Sequence, residues 1–164
     1  MDLLPFDPGA VIQVSASVRR EGGIAEFRYS LSDGAEHIVI PPRAVPHRAA
    51  ALWHATCFQA FIATGAKSYV ELDFSPSGEW AAYQFNDYRQ GMQQLDVGAA
   101  DVRLEGNSLI ARVDLPERIL AGAAVGLAAA LEHCNGTRSY WALAHPNSNR
   151  PDFHARDCFV AQLP

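Results

Sequence analysis

The sequence is short of the features that most often give a protein away. Its opening residues, Met1-Asp2-Leu3-Leu4-Pro5-Phe6, hold no basic segment and lead into no sustained apolar run. Neither a signal peptide nor a membrane span is therefore expected. Cysteine is scarce: Cys57, Cys134 and Cys158 form no C-x-x-C pair and leave an odd thiol, which favours a reducing compartment and, with no leader in view, the cytoplasm. The formal charge is -5, with Lys and Arg scattered along the chain. Phosphate binding needs clustered positive charge, so nucleic acid is not an expected partner. There is no G-x-S-x-G elbow, no P-loop, no dinucleotide fingerprint, no H-x-x-x-H pair and no D-x-[DN]-x-[DN]-G loop. No catalytic residue, metal site or cofactor is assigned on sequence grounds.

What remains is the pattern of a β protein. With 164 residues, 49% of them hydrophobic, and no break in composition, the chain reads as one domain with a full-sized core. Residues 11–19 alternate, Glu21-Gly22-Gly23 signals a turn, and residues 24–31 return with Phe27 and Tyr29, giving a first hairpin. Residues 38–40 read as a short strand stopped by Pro41-Pro42, and residues 43–51 as a loop leading to Trp53 and able to close over a pocket. Residues 56–63 are apolar on both faces, as in a central strand. Residues 101–104 and 109–115 flank a Gly106-Asn107 turn and form a further hairpin. Pro116 starts one helical turn over residues 116–120. Residues 121–133 are rich in alanine, but Gly122, Gly126 and the alternation of Val125, Leu127, Ala129 and Leu131 favour a strand.

The most informative stretch is the hairpin over residues 68–84. Val70, Leu72 and Phe74 alternate with Tyr69, Glu71 and Asp73, the period of a half-buried strand. Taking Ser75-Pro76-Ser77-Gly78 as a four-residue loop puts Phe74 opposite Glu79 and Asp73 opposite Trp80. Glu71 then faces Ala82, Tyr69 faces Gln84, and Tyr69, Glu71, Asp73, Trp80 and Gln84 share one surface. Aromatic rings beside carboxyl and amide groups suit a sugar or another flat polar ligand, because rings cover its apolar face while polar groups take its hydroxyls. The alternative is that a loop or partner sheet covers this face and Trp80 is core. Arg89, in the polar segment 86–93, is a further candidate contact.

Trp53, the strand at 56–63, the Glu71 to Gly78 hairpin, the stretch Arg138-Ser139-Tyr140-Trp141-Ala142-Leu143-Ala144-His145-Pro146, the loop Pro151-Asp152-Phe153-His154 and a final strand over residues 158–163 follow one another. This order resembles the DOMON-like proteins and the related family 9 carbohydrate-binding modules. The resemblance implies an all-β fold, an antiparallel, jelly-roll-like β-sandwich of roughly ten strands. It also implies a non-catalytic module for a small polar ligand, most naturally a carbohydrate. Two tryptophans sandwich a sugar in that family, and Trp80 and Trp141 are taken as the pair. An acid is common in these families where Gln59 stands here.

Three other classes stay open. Some DOMON domains bind haem through axial Met or His, for which Met92 with His145 or His154 would serve here. A small enzyme acting on a sugar would use Glu71 and Asp73 as acid and base. An interaction module would use an exposed sheet edge. For a metal, His145, Asp152 and His154, or Asp73, Asp87 and Glu71, are the groupings to check. The oligomeric state is not legible.

Overall fold

The computed structural model describes residues 1–98, 100–119, 121–147 and 149–164. Its strands in chain order are β1 (Leu4–Pro5), β2 (Gln13–Glu21), β3 (Ile24–Ser32), β4 (Cys57–Ala63), β5 (Tyr69–Phe74), β6 (Trp80–Phe85), β7 (Gln93–Gln94), β8 (Ala100–Glu105), β9 (Ser108–Asp114), β10 (Ala124–Glu132), β11 (Arg138–Ala142) and β12 (Ala161–Gln162). They form two antiparallel sheets, one with strand order β1-β11-β10-β4-β5-β6-β7, joined by β12 on β10, the other β2-β3-β9-β8. The all-β sandwich expected from the sequence is the observed architecture. No α-helix occurs among the described residues.

Alternation explains how the sheets meet. Val14 and Ala16 of β2, Phe27 and Tyr29 of β3, and Ala111 and Val113 of β9 turn towards Phe58, Ala60 and Ile62 of β4, Leu72 and Phe74 of β5, and Leu127 and Ala129 of β10. These side chains are the shared core, and burying them supplies roughly 25 cal/mol for each Å² of apolar surface removed from water. The two longer hairpins read from sequence are present, β2/β3 and β8/β9, the latter turning at Gly106 with φ +58°. Several boundaries differ. Residues 38–40 make no strand: Ile38 forms one isolated bridge with His133, and Val39 donates its N–H to the Glu132 carbonyl. The expected closing strand at 158–163 is instead a 3-10 turn, Arg156–Cys158, followed by two paired residues. Of the turn expected at 116–120, Ile119 N–H does reach the Pro116 carbonyl, while Leu120 lies outside the described residues.

The consequential correction is the register of the β5/β6 hairpin. Ser75 N–H donates to the Glu79 carbonyl, so these two residues face each other across a three-residue loop whose last member, Gly78, has φ +98°. A left-handed third residue is the usual way to close a three-residue hairpin loop, and glycine takes that conformation without a Cβ clash. Phe74 therefore pairs with Trp80, Asp73 with Ala81, Glu71 with Tyr83 and Tyr69 with Phe85. A slip of one residue turns every side chain of β6 to the other face. Trp80 packs partly buried against the intersheet core rather than beside Asp73, with the Arg48 guanidinium 4.5 Å from its ring centroid. Gln84 also leaves the Glu71 face, and its amide bonds to Gln93 and Arg118.

The outer face of the large sheet is half covered. A C-terminal strap lays Phe153, Cys158 and Phe159 on Phe61, Ala63, Tyr69, Phe85, Ala128 and Ala142, a second apolar cluster. Gly126 makes this possible, because a Cβ there would lie 2.9 Å from the Phe159 ring. The uncovered half is the candidate site.

Candidate functional site

The strap, β4 to β6, and the loop before β4 enclose a cleft of about 800 Å³. Its floor comes from alternation on the central strands. On β5, Tyr69, Glu71 and Asp73 point away from the intersheet core, and the pairings set Gln59 beside Asp73 and Phe61 beside Glu71. On the other side stand Ala81, Tyr83 and Phe85. The walls are aromatic: Trp53, Tyr83, Tyr140 and Phe153 all line the space. Trp53 is held by a 3-10 turn, Leu52–His54, and half of its surface is exposed, 49%.

The floor is polar and buried. Gln59 Nε2 donates to Glu71 Oε1 at 3.1 Å and to Asp73 Oδ1 at 2.8 Å, so one amide serves both carboxyl groups. Among the described residues, Asp73 Oδ2 has no hydrogen-bond partner although it is sealed from solvent. Burial, then the neighbouring Asp73 charge, pushes Glu71 up to about 9. Burial likewise raises Asp73, against the Gln59 hydrogen bond, to about 6. Two carboxyl groups so close and so dry do not both ionise near neutral pH, and the pair retains one proton.

A second polar system forms one side. The Arg89 backbone sits in the left-handed region, φ +53°, and its N–H donates to Tyr69 Oη at 3.1 Å. The Arg89 guanidinium donates to Asp152 Oδ1 at 3.0 Å, and Tyr88 Oη donates to Asp152 Oδ2 at 2.5 Å. Burial works to raise the Asp152 pKa, but these hydrogen bonds and the Arg89 charge outweigh it and hold the group below the usual carboxylate range. Tyr69 Oη meets His154 Nδ1 at 2.8 Å, and His154 Nε2 lies 3.8 Å from Glu71 Oε2. A neutral phenol must donate its proton to an acceptor. His154 Nδ1 takes that role, which leaves the imidazole proton on Nε2, facing Glu71. Burial and the positive Arg89 lower His154 to about 4, so the imidazole is neutral at physiological pH.

No protein-family model matches the chain, and no curated protein matches it in sequence. Among solved structures, the chain resembles one described as a "putative carbohydrate-binding protein" from Bacteroides uniformis ATCC 8492, with a TM-score of 0.58 and 14% sequence identity. The match covers 91% of this chain and 77% of that one. At that identity the likeness is one of fold.

Of the residues singled out from sequence, the cleft brings together Glu71, Asp73 and Arg89, with Tyr69 beneath them bonded to Arg89 and His154. It does not include Trp80, Gln84 or Trp141. Trp141 is 3% exposed, points into the intersheet core, and gives its indole N–H to Ser139. Its neighbour Tyr140 takes the outward position. Strand alternation predicts that one of the two faces the cleft; the sequence alone does not say which. Met92 and His154 both border the cleft, whereas His145 Nε2 meets the Leu4 carbonyl. Asp87 pairs with Lys67 at the surface and does not join Glu71 and Asp73. Among the described residues no three His, Cys, Asp or Glu side chains are grouped to hold a metal ion. Sequence reasoning missed Tyr83, Tyr140 and Phe153 as cleft residues; it reached Trp53 only as the end of a loop that could close over a pocket, and His154 only as a haem or metal ligand. For Tyr83 the signal was present in the β6 alternation, but it was read one residue out of register.

Proposed function

We propose that the chain is a non-catalytic binding module, one sandwich domain over residues 1–164, whose ligand is a saccharide held in the cleft. The observation that carries this reading is the combination of aromatic walls with a buried carboxyl and amide floor. The aromatic side chains of Trp53, Tyr83, Tyr140 and Phe153 suit the apolar face of a pyranose, while the carboxyl groups of Glu71 and Asp73 suit its hydroxyls. The fold-level likeness to the structure described as a "putative carbohydrate-binding protein" is in keeping with the same reading, and a place among the DOMON-like and family 9 modules is its finer form. Three cysteines without a disulfide among the described residues fit a cytoplasmic setting.

Catalysis by the acid pair is disfavoured. Glycosidase carboxyl groups flank the scissile bond from two sides, about 5 Å or more apart, whereas Glu71 and Asp73 accept from a single amide nitrogen on one floor. Haem ligation draws support from Met92 and His154 bordering one cleft, but the imidazole is committed to Tyr69 on one side and turned to Glu71 on the other.

The test is a thermal-shift and calorimetry screen against mono- and disaccharides, with haemin in parallel, because a ligand that binds only the folded state raises its stability by mass action. A saccharide should raise the melting temperature, and Trp53→Ala should weaken its binding by about tenfold, the scale of one lost stacking contact. A saccharide shift that persists undiminished in Trp53→Ala and Tyr83→Ala would place the ligand elsewhere, and a Soret band with haemin would favour the haem reading.

A further inference from the structure

The floor of the cleft has the wrong charge balance for a neutral sugar alone. Two carboxyl groups lie side by side, bridged by a neutral amide, and Asp73 Oδ2 is buried without a partner among the described residues. The cations nearby are already engaged. Arg89 is paired with Asp152 and offsets the Glu71 charge only in part, since burial still raises that group, and the Arg138 guanidinium has its hydrogen bond to the His54 carbonyl. The remaining titratable groups near the pair are Cys57 from β4, Tyr83 from β6 and His154 from the strap, with Tyr29 of the small sheet on the opposite side of β4, its hydroxyl on the Gln59 carbonyl. Burial raises the two phenols and the thiol and lowers the imidazole. All four therefore stay uncharged near neutral pH, and none of them compensates an anionic floor.

We propose that the cleft selects a cationic sugar carrying a free amine, whose ammonium group docks on Glu71 and Asp73 beneath the aromatic walls. The inference rests on the saccharide reading and narrows its ligand class. A hydroxyl offers one donor and no charge, so it satisfies one lone pair and leaves the single negative charge of the pair unbalanced. An ammonium offers three donors and a full positive charge, enough to balance both carboxylates once the proton they share is released. Aromatic rings near a desolvated cation add attraction, and Tyr83 and Trp53 are among the side chains that line the cleft. The ion balance is simple. The ammonium keeps its own protons, the carboxyl pair gives up the one it shares, and that proton passes to solvent. Proton release on binding is therefore a signature that a neutral sugar does not produce.

The experiment is isothermal titration calorimetry of the full chain with glucosamine, glucose, N-acetylglucosamine and glucuronate at mildly acidic pH, in two buffers of different ionisation enthalpy. Glucosamine should bind about tenfold or more tightly than glucose, with proton release; acetylating its nitrogen should abolish the advantage, and glucuronate should be the weakest. Asp73→Asn and Glu71→Gln, each checked for a cooperative melt, should narrow the gap between glucosamine and glucose and remove the proton release, and the double variant should bring the two sugars to similar affinity. Equal affinity for glucose and glucosamine in the wild-type protein, or tightest binding of glucuronate, overturns the charge preference while leaving the saccharide reading standing. A glucosamine preference that survives undiminished in the folded double variant also overturns it, because the amine would then be recognised elsewhere. Failure of all four sugars to bind overturns both this inference and the reading on which it rests.

Discussion

Replacing Asp73 with asparagine should make the protein more stable. The side chain is 1% exposed, one of its oxygens has no partner among the described residues, and the other shares the Gln59 amide with Glu71. Asparagine keeps the Oδ1 acceptor for Gln59 and removes the buried charge beside Glu71. The sign follows from linkage. Asp73 is raised from 3.8 to about 6, so its contribution is full below the lower value and is lost as pH rises through the higher one. At ~1.4 kcal/mol for each pKa unit, ionising it in the folded protein costs about 3 kcal/mol near pH 8, a cost the variant avoids. Glu71 gains as well, because the Asp73 charge is the second cause of its elevation. For a domain of this size, about 2–4 °C per kcal/mol translates this into a rise of about 6–12 °C in Tm. Differential scanning fluorimetry of both proteins near pH 8 and near pH 4 checks it. His154, lowered to about 4, titrates in both proteins and largely cancels in the comparison. The variant should lead near pH 8, and the gap should close towards pH 4. A variant no more stable than the parent near pH 8, or equally shifted at both pH values, refutes the reasoning. Such a gain on deleting a polar group is expected where a buried site is kept for binding at the expense of stability.

Other substitutions separate scaffold from site. Trp80→Ala should destabilise the fold by about 2–4 kcal/mol, since the ring packs on the intersheet core under Arg48, while saccharide affinity of the folded fraction stays unchanged; urea melts with calorimetry measure both. Gly126→Ala drives a methyl group to 2.9 Å from the Phe159 ring. It should cost about 1–3 kcal/mol and loosen the strap, seen as faster proteolysis after residue 143 than in the rest of the chain.

Much of the scaffold is legible without coordinates. The β2/β3 and β8/β9 hairpins follow from alternation around glycine-marked turns, and the alanine-rich stretch resolves as β10 because Val125, Leu127, Ala129 and Leu131 keep a period of two. Strand β4 reads as central because both faces are apolar, and it is indeed flanked by β10 and β5. The candidate site is legible only on one strand. Tyr69, Glu71 and Asp73 alternate with core residues within β5, so a local period places them together whatever the neighbours do. The partners across strands depend on register, and one residue of loop length decides it. Reading Ser75-Pro76-Ser77-Gly78 as a four-residue loop moves Trp80 to the site; the hydrogen bond between Ser75 and Glu79 moves it to the core and brings Tyr83 in its place.

The sequence by itself determined an all-β chain, the strands that carry its core, and the sharing of one face by an acid pair, because strand periodicity is a local property of the backbone. Tertiary structure alone decided that this face is walled by Trp53, Tyr140, Phe153 and His154, residues far apart in the chain that meet only when the strap folds across the large sheet. It also decided the electrostatics. A carboxyl pair on an open strand would be two ordinary solvated acids, and it is burial under that strap and against Gln59 that leaves the two groups sharing one proton.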